Sequence, residues 1–215
     1  ISMVRVTSEE VKDLIIAFFI ISICFTILYS RRNLSTGIEI LPMAMVGVGF
    51  GFIFHELGHK FSSIHFGYWA EFKIWPQGLL IAFITSFFGF VFAAPGAVYT
   101  FGNFISDREN GIISLCGPIV NIALALIFLA VAVIIYPSAF VNQNALFGFL
   151  ICNMGFNINS YLAVFNLLPI LNLDGSKVLR WNGVAWLISI AIAALLTYLS
   201  MTMGVESIVR SIIGI

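Results

Sequence analysis

Long apolar runs separated by short polar stretches dominate the chain. A helix needs about 20 predominantly apolar residues to cross a bilayer. Five segments approach or exceed that length once their flanks are included: residues 14–29, 40–66, 111–136, 145–168 and 184–203. Residues 205–215 are too short to span and would begin a sixth. The pattern predicts an all-α polytopic membrane protein with about five to six transmembrane helices, in a single domain covering residues 1–215.

One stretch, residues 68–102, does not fit this pattern. Its segment 78–94 is apolar enough to span, yet it is rich in Phe, Ile, Thr and Gly and lies between Pro76 and Pro95. Aromatic and β-branched residues between turn-forming residues favour strands. We therefore predict a membrane-embedded hairpin or re-entrant segment. Non-helical backbone at membrane depth must be buried in protein or line a wet cavity, so a cavity is expected close by.

The composition supports a lipid environment. The chain is 60% hydrophobic and 9% charged, whereas soluble domains carry about 25% charged residues. Ten basic and ten acidic residues cancel, which excludes the basic surface that nucleic-acid binding requires. Cys24, Cys116 and Cys152 lie far apart in apolar runs, so we expect them to pack as small hydrophobic residues rather than form a thiolate zinc site.

Charge also predicts the orientation. If the N-terminus is cytoplasmic, most lysines and arginines fall on the cytoplasmic side, with Arg31 and Arg32 as the exceptions. This agrees with the positive-inside rule and predicts a multi-pass protein of the cell membrane with a cytoplasmic N-terminus. Glu9, Glu10 and Asp13 precede the first apolar run, which does not resemble a cleaved signal peptide. The first helix is expected to remain in the mature protein.

The second apolar run contains the motif His55-Glu56-Leu57-Gly58-His59. Two histidines four residues apart lie on one face of a helix and can bind one zinc ion, while the intervening glutamate is placed to activate water. Ionisable residues inside a membrane span are costly and indicate a functional site. We therefore predict His55 and His59 as zinc ligands and Glu56 as the catalytic residue. His65 is interpreted as an ordinary interfacial residue.

A catalytic zinc ion usually has three protein ligands. Asp174 is the candidate for the third, since it follows the fourth span on the side where the second span carries its histidines. The alternative for Asp174 is a helix cap or an Asx-turn before Gly175.

Several asparagines lie within the third and fourth spans. Asn153, Asn157 and Asn159 are expected to form interhelical hydrogen bonds, which are common in membrane proteins. Asn121 and Asn166 either serve the same purpose or bind the substrate backbone and the oxyanion of the reaction.

Three motifs together resemble the site-2 protease family, the M50 intramembrane zinc metalloproteases. The family pattern is H-E-x-x-H, then G-P-x-x-N, then N-x-x-P followed by L-D-G. Here it corresponds to His55–His59, to Gly117, Pro118 and Asn121, and to Asn166 and Pro169 followed by Leu173, Asp174 and Gly175. The resemblance covers a core of about residues 40–180 and implies zinc ligation by His55, His59 and Asp174. It also implies a membrane-embedded β-hairpin after the zinc-binding helix. No segment has room for the PDZ domain of many relatives, so the chain resembles a minimal prokaryotic form.

The motifs predict an enzyme with one Zn²⁺ per chain that hydrolyses peptide bonds of transmembrane protein substrates within the lipid bilayer or at its edge, as in regulated intramembrane proteolysis. The alternative is a zinc-binding membrane scaffold without catalytic activity, whose motifs would look the same.

Overall fold

A computed structural model describes residues 6–102 and 104–214, and helices dominate both ranges. The helices are α1 (Ser8–Ser30), α2 (Leu34–Val48), α3 (Phe54–His65), α4 (Pro76–Ser86), α5 (Asp107–Ala139), α6 (Gln143–Asn166), α7 (Asp174–Trp181), α8 (Gly183–Thr202) and α9 (Gly204–Ile213). The strands β1 (Trp69–Ile74) and β2 (Gly96–Phe101) pair in an antiparallel sheet. A π-helical turn, Gly49–Ile53, joins α2 to α3 without a break.

Five helical stretches within the described ranges are long and apolar enough to cross a membrane, which is consistent with a multi-pass membrane protein. They are α1, the continuous helix Leu34–His65, α5, α6 and α8. All five overlap the predicted spans, and all begin before the predicted residue. The reason is that a polar side chain caps each of them ahead of the apolar run, namely Thr7, Asn33, Ser106, Asn142 and Asn182.

Two helix ends differ from the prediction. The third span was expected to end at residue 136, but α5 continues through Pro137 to Ala139. A proline this close to a helix end removes only one backbone hydrogen bond before the helix stops. The helix α9, at the position where a sixth span was expected to begin, is short and amphipathic. Val205 and Val209 are buried, while Glu206 pairs with Arg210 on the exposed side.

The segment 68–102 returns on itself, as the hairpin prediction requires. β1 and β2 pair from Trp69 opposite Phe101 to Ile74 opposite Gly96. A side-chain carbon added to Gly78 would lie 2.2 Å from the backbone oxygen of Ala94, so the two ends of the connection are in contact.

The strand interpretation of residues 78–94 is wrong, because neither half of that segment is a strand. Residues 76–86 form the helix α4, which starts with Pro76 in its first turn, a position where proline is favoured. Leu79 and Ala82, three residues apart, are buried on one side of this helix. That helical spacing outweighs the local preference of the aromatic and β-branched residues for strand. The remaining residues return to β2 as an irregular stretch.

The helix α6 links the two halves of the core. One apolar cluster joins α1, α2 and the sheet region to residues of α6 such as Ile158 and Leu162. The other joins α5, α8 and α9 to the same helix through Phe156 and Ala163. The helix α3 packs between α5 and the two strands. Its two histidines therefore lie between protein elements rather than facing lipid.

The return of residues 68–102 can be tested by labelling. After replacement of the native cysteines, we expect His65→Cys and Phe104→Cys to react with a membrane-impermeant thiol reagent from the same side of the membrane. Both positions are exposed, and the antiparallel pairing between them implies an even number of crossings.

Leu34→Cys and Val141→Cys are the matched controls, because these exposed residues lie at the opposite ends of the same helices. We expect both to be labelled only from the other side. Labelling of positions 65 and 104 from opposite sides would show that residues 68–102 cross the membrane.

Candidate metal centre

Two histidines meet on one face of α3. The Nε2 atoms of His55 and His59 lie 3.0 Å apart, because residues four apart project from the same side of a helix. Both residues are buried. The sequence prediction of a paired histidine site therefore corresponds to two ring nitrogens that converge on one point.

Asp174 reaches the same point from α7. Its Oδ2 atom lies 3.4 Å from Nε2 of His55 and 3.1 Å from Nε2 of His59. The turn that brings it there depends on Gly175, where a side-chain carbon would lie 2.0 Å from the backbone oxygen of Leu167. The carboxylate of Asp174 contacts the histidines and does not cap a helix, in contrast to the helix-cap alternative.

The three ligand atoms fit a tetrahedral zinc ion. Zinc binds histidine nitrogen and carboxylate oxygen at about 2.0–2.2 Å, so two ligands at tetrahedral angles are separated by about 3.3 Å. The three observed separations are 3.0, 3.1 and 3.4 Å. Among the histidine, cysteine and acidic side chains of the described residues, His55, His59 and Asp174 form the group that is close enough together to hold a metal ion.

Hydrogen bonds fix the tautomer of both imidazoles. His59 Nδ1 lies 2.8 Å from the backbone oxygen of Ile113, which can only accept, so Nδ1 carries the proton. His55 Nδ1 lies 2.6 Å from Oδ1 of Asn121. The nitrogen of that amide donates to the backbone oxygen of Gly51 at 2.9 Å, so its oxygen must be the atom that faces His55.

With Nδ1 protonated, each Nε2 of a neutral imidazole presents a lone pair. Two such lone pairs that face each other and the carboxylate of Asp174 repel one another unless a positive charge, either a proton or a metal ion, lies between them. Second hydrogen bonds of this kind are also how metal-binding histidines are usually held. The chemistry of the donor set therefore fits a bound Zn²⁺.

The electrostatics of Asp174 agree with a role as a charged ligand. Burial acts to raise the pKa of its carboxyl, yet contacts with His59, His55 and Lys177 outweigh burial and hold that pKa well below its usual range. Asp174 is therefore ionised at neutral pH. Lys177 was not singled out from the sequence. Its Nζ lies 3.4 Å from Oδ1, leaving Oδ2 to face the histidines.

The histidines lie directly against the backbone of α5 at Gly117. A side-chain carbon there would lie 2.5 Å from Nε2 of His59 and 2.7 Å from Cε1 of His55. On α3, a side-chain carbon added to Gly58 would lie 3.3 Å from the backbone oxygen of Cys116, so the two helices are close here as well. This close approach gives a physical reason for a glycine at the first position of the G-P-x-x-N motif.

Glu56 lies beside the histidines with part of its carboxylate unpaired. The residue is 7% exposed, and its Oε2 atom has no hydrogen-bond partner within the described part of the chain. Burying such an atom without a partner costs free energy. A buried oxygen without a hydrogen-bond partner is typical of a group that binds a water molecule or a substrate during function.

His55, Glu56, His59 and Asp174 line a cavity of about 470 Å³. Its walls include Phe52, Leu162, residues 96–100 of β2, and the loop before β2. The cavity predicted from the hairpin region is therefore present, and the residues that follow α4 form one of its walls. Lys177 lies at the same cavity.

One of the predicted asparagines, Asn166, lies at the cavity, whereas Asn121 and Asn157 bond to other parts of the protein. Asn166 lines the cavity, and its Nδ2 donates to the backbone oxygen of Leu162 at 2.9 Å. Asn121 is fully buried, and its two amide hydrogens are donated to Gly51 and to Oδ1 of Asn159. The polar atoms of Asn121 thus contact protein groups, which agrees with the first of its two predicted roles, hydrogen bonding between helices. Asn157 accepts a hydrogen bond from Ser200 of α8, an interhelical bond of the expected kind.

The fold and this cluster define a class of protein: a helical membrane-type bundle with a two-histidine, one-aspartate centre next to a buried glutamate. The chain is 40% identical over 188 residues to a protein of Methanocaldococcus jannaschii named "Putative zinc metalloprotease MJ0611". The match covers 87% of this chain and 92% of the relative. The chain therefore belongs to the family of this zinc metalloprotease.

No protein-family model matches the chain. No solved structure gives a significant match.

Asn121 offers a test of how the centre is held. Replacing it with Leu removes the acceptor for His55 Nδ1, and we expect the affinity for zinc to fall about 10–100-fold, the usual cost of losing such a contact. Competition against a chelator measures this. Asn157→Leu is the matched control, since Asn157 bonds to Asn153 and Ser200 instead of a histidine. Equal zinc affinity in the two variants would contradict the assigned contact.

Proposed function

We propose that this protein is an intramembrane zinc metalloprotease of the site-2 protease (M50) type, in the minimal form without a PDZ domain. It would hydrolyse peptide bonds of transmembrane protein substrates within the bilayer or at its edge, with a core of about residues 40–180. The observation that carries the proposal is the convergence of His55, His59 and Asp174 next to the unpaired oxygen of Glu56. That constellation lies among helices long enough to span a membrane.

In the proposed site, Nε2 of His55, Nε2 of His59 and Oδ2 of Asp174 would hold one Zn²⁺. Asn121 orients the imidazole of His55, and the backbone oxygen of Ile113 orients that of His59. When bound, zinc supplies a Lewis acid that acidifies water and polarises a carbonyl. Glu56 takes the proton from the attacking water and delivers it to the nitrogen of the leaving amine. Its low exposure and free oxygen suit both transfers.

The substrate must be extended at the cleaved bond, because in a helix each carbonyl is hydrogen-bonded and inaccessible. The strand β2 has an edge that suits an extended segment. Phe72 faces Val98 in the sheet, and Phe72 N–H donates away from β2, to Glu10. Directly opposed residues of antiparallel strands either exchange hydrogen bonds or both point away. Val98 therefore directs its backbone away from β1, on the side of Glu56.

An extended substrate segment could pair with this edge of β2 by strand addition, which would bring its carbonyl groups past Glu56. Asn166 has an amide hydrogen beyond the one it gives Leu162. We assign to it a hydrogen bond to the substrate backbone or the oxyanion. Asn121 is left out of substrate binding because its amide is fully used in holding His55.

Proposed partners are transmembrane proteins as substrates and the lipid bilayer around the helices. The proposed location is the cell membrane, with a cytoplasmic N-terminus. In that orientation the C-terminal end of α3 and the whole of α7 lie on the cytoplasmic side. Cleavage is then expected within the apolar span of the substrate or at its cytoplasmic edge.

A zinc-binding scaffold without catalysis is the alternative, and it is not favoured. A purely structural zinc site gains nothing from a buried carboxylate oxygen without a partner, whereas a hydrolase requires a base in that place.

Glu56→Gln is the direct test of the proposed function. We expect cleavage of a transmembrane model substrate to fall by at least about 10²-fold, within the range attributed to a general base, while bound zinc stays at one ion per chain. The reason is that glutamine keeps the shape but cannot accept the proton. Zinc content of the purified variant is measured alongside product formation.

Wild-type protein treated with a zinc chelator should be equally inactive and should recover when zinc is restored. Undiminished activity in Glu56→Gln would rule out the assigned base. Loss of zinc from that variant would show that Glu56 is a ligand.

Asp174→Asn tests the third ligand. The change keeps size and shape but removes the charge, so we expect weaker zinc binding and loss of proteolysis with helix content retained. Asn172→Asp is a useful comparison, because it adds a carboxylate on the same cavity wall without altering the cluster. Full zinc occupancy and normal activity in Asp174→Asn would exclude this residue as a ligand.

A further inference from the structure

The first turns of α1 contact the sheet through acidic side chains. Glu10 Oε1 accepts the backbone N–H of Phe72 at 3.1 Å, and Asp13 Oδ2 accepts that of Ile74 at 3.0 Å. Thr7, the N-cap of α1, donates to Glu71 of the same strand at 2.7 Å. Three successive contacts thus join the start of α1 to β1.

These contacts lie on the edge of β1 that β2 does not use. In an antiparallel pair, consecutive residues direct their backbone groups to alternate sides. Phe72 and Ile74 are two residues apart, so both N–H groups point to the outer edge. An open edge would leave these donors free to pair with another strand. The two carboxylates occupy them and hold β1 in one position along α1.

Glu10 also binds the zinc helix. Its carboxylate accepts a hydrogen bond from Lys60 Nζ at 2.7 Å, and both side chains are 2% exposed. Lys60 directly follows His59. One carboxylate therefore joins α1, the edge of the sheet and the helix that carries both histidines. A buried ion pair by itself is weak evidence of stabilisation. We therefore look for the role of this pair in how it positions α1, β1 and α3.

We propose that Glu10 and Asp13 are positioning residues that set the height of the sheet relative to α3, and so determine which substrate peptide bond lies against Glu56. This rests on the proposed function, in which β2 binds the extended substrate. The two strands move as one unit because they pair in register over six residues each, with hydrogen bonds between alternate residue pairs. A shift of β1 along α1 is therefore passed to β2 and to the bound segment.

The test separates the acceptor role of Glu10 from its charge. Glu10→Leu/Lys60→Met replaces the ion pair with apolar groups of similar size, a type of change that folded proteins usually tolerate, and it removes the acceptor for Phe72. Glu10→Gln/Lys60→Met also removes the ion pair but keeps a carbonyl oxygen for Phe72. For the second contact, Asp13→Ala removes the acceptor for Ile74, and Asp13→Asn keeps one.

Full-length, zinc-loaded protein is assayed with a transmembrane model substrate, and the products are mapped by mass spectrometry. We expect the Glu10→Leu/Lys60→Met and Asp13→Ala variants to cut at several neighbouring bonds, with kcat lower by about tenfold or more, as expected for a small misplacement of the reacting groups. Zinc content should stay at one ion per chain. The Gln and Asn variants should retain the wild-type cleavage site and rate within about twofold.

A single unchanged cleavage site in the Leu and Ala variants would overturn the proposal. So would equal loss in the Gln and Leu variants, because the ion pair rather than the acceptor would then be responsible.

Amide hydrogen exchange gives a readout that does not depend on proteolysis. Exchange at Phe72 and Ile74 should be slow in the wild type and in the Gln and Asn variants, and fast in the Leu and Ala variants. Absence of this difference would overturn the anchoring itself. Normal exchange behaviour in a wild-type protein without proteolytic activity would instead count against the proposed function, with the anchoring intact.

Discussion

The site depends on the close approach of two helices at glycine. Gly58 and Gly117 let α3 and α5 come close enough for one imidazole to meet the backbone of Ile113 and the other to meet Asn121. Those two hydrogen bonds determine which ring nitrogens are free, and therefore where a metal ion can bind. A side chain at Gly117 would collide with both imidazoles and displace them from these partners, and one at Gly58 would make a tight contact with the backbone of α5 at Cys116.

Much of the arrangement follows from patterns that the sequence contains. Apolar runs located all five long helices, since span length is a strong constraint, and the spacing of His55 and His59 predicted their convergence. The positions of the N-caps and of α4 were less accessible. In α4, the burial of Leu79 and Ala82 against the rest of the protein outweighed local strand preference, and no local pattern reports such contacts. The role of His55, His59 and Asp174 as zinc ligands stays a prediction, and the distances between their side chains fit it.

The polar contacts around the site were the least predictable part. Asn121 was considered for substrate binding, yet its neighbours come from Gly51 and Asn159, which are 70 and 38 residues away along the chain. Lys177 and Glu10 carry no motif that distinguishes them from surface residues. Only the three-dimensional packing shows that Glu10 is buried between a sheet edge and Lys60.

The π-helical turn Gly49–Ile53 gives the zinc helix a place where the chain can differ by one residue. Such a turn holds an extra residue relative to an α-helix and takes it up by widening. Deleting one residue here would restore a regular helix and leave His55 and His59 on nearly the same face. Deleting one residue from the regular helix α2 would instead rotate the histidines by about 100°, the advance of one α-helical residue, unless the π turn absorbs the change. Related chains with the same centre can therefore have a one-residue gap at this turn.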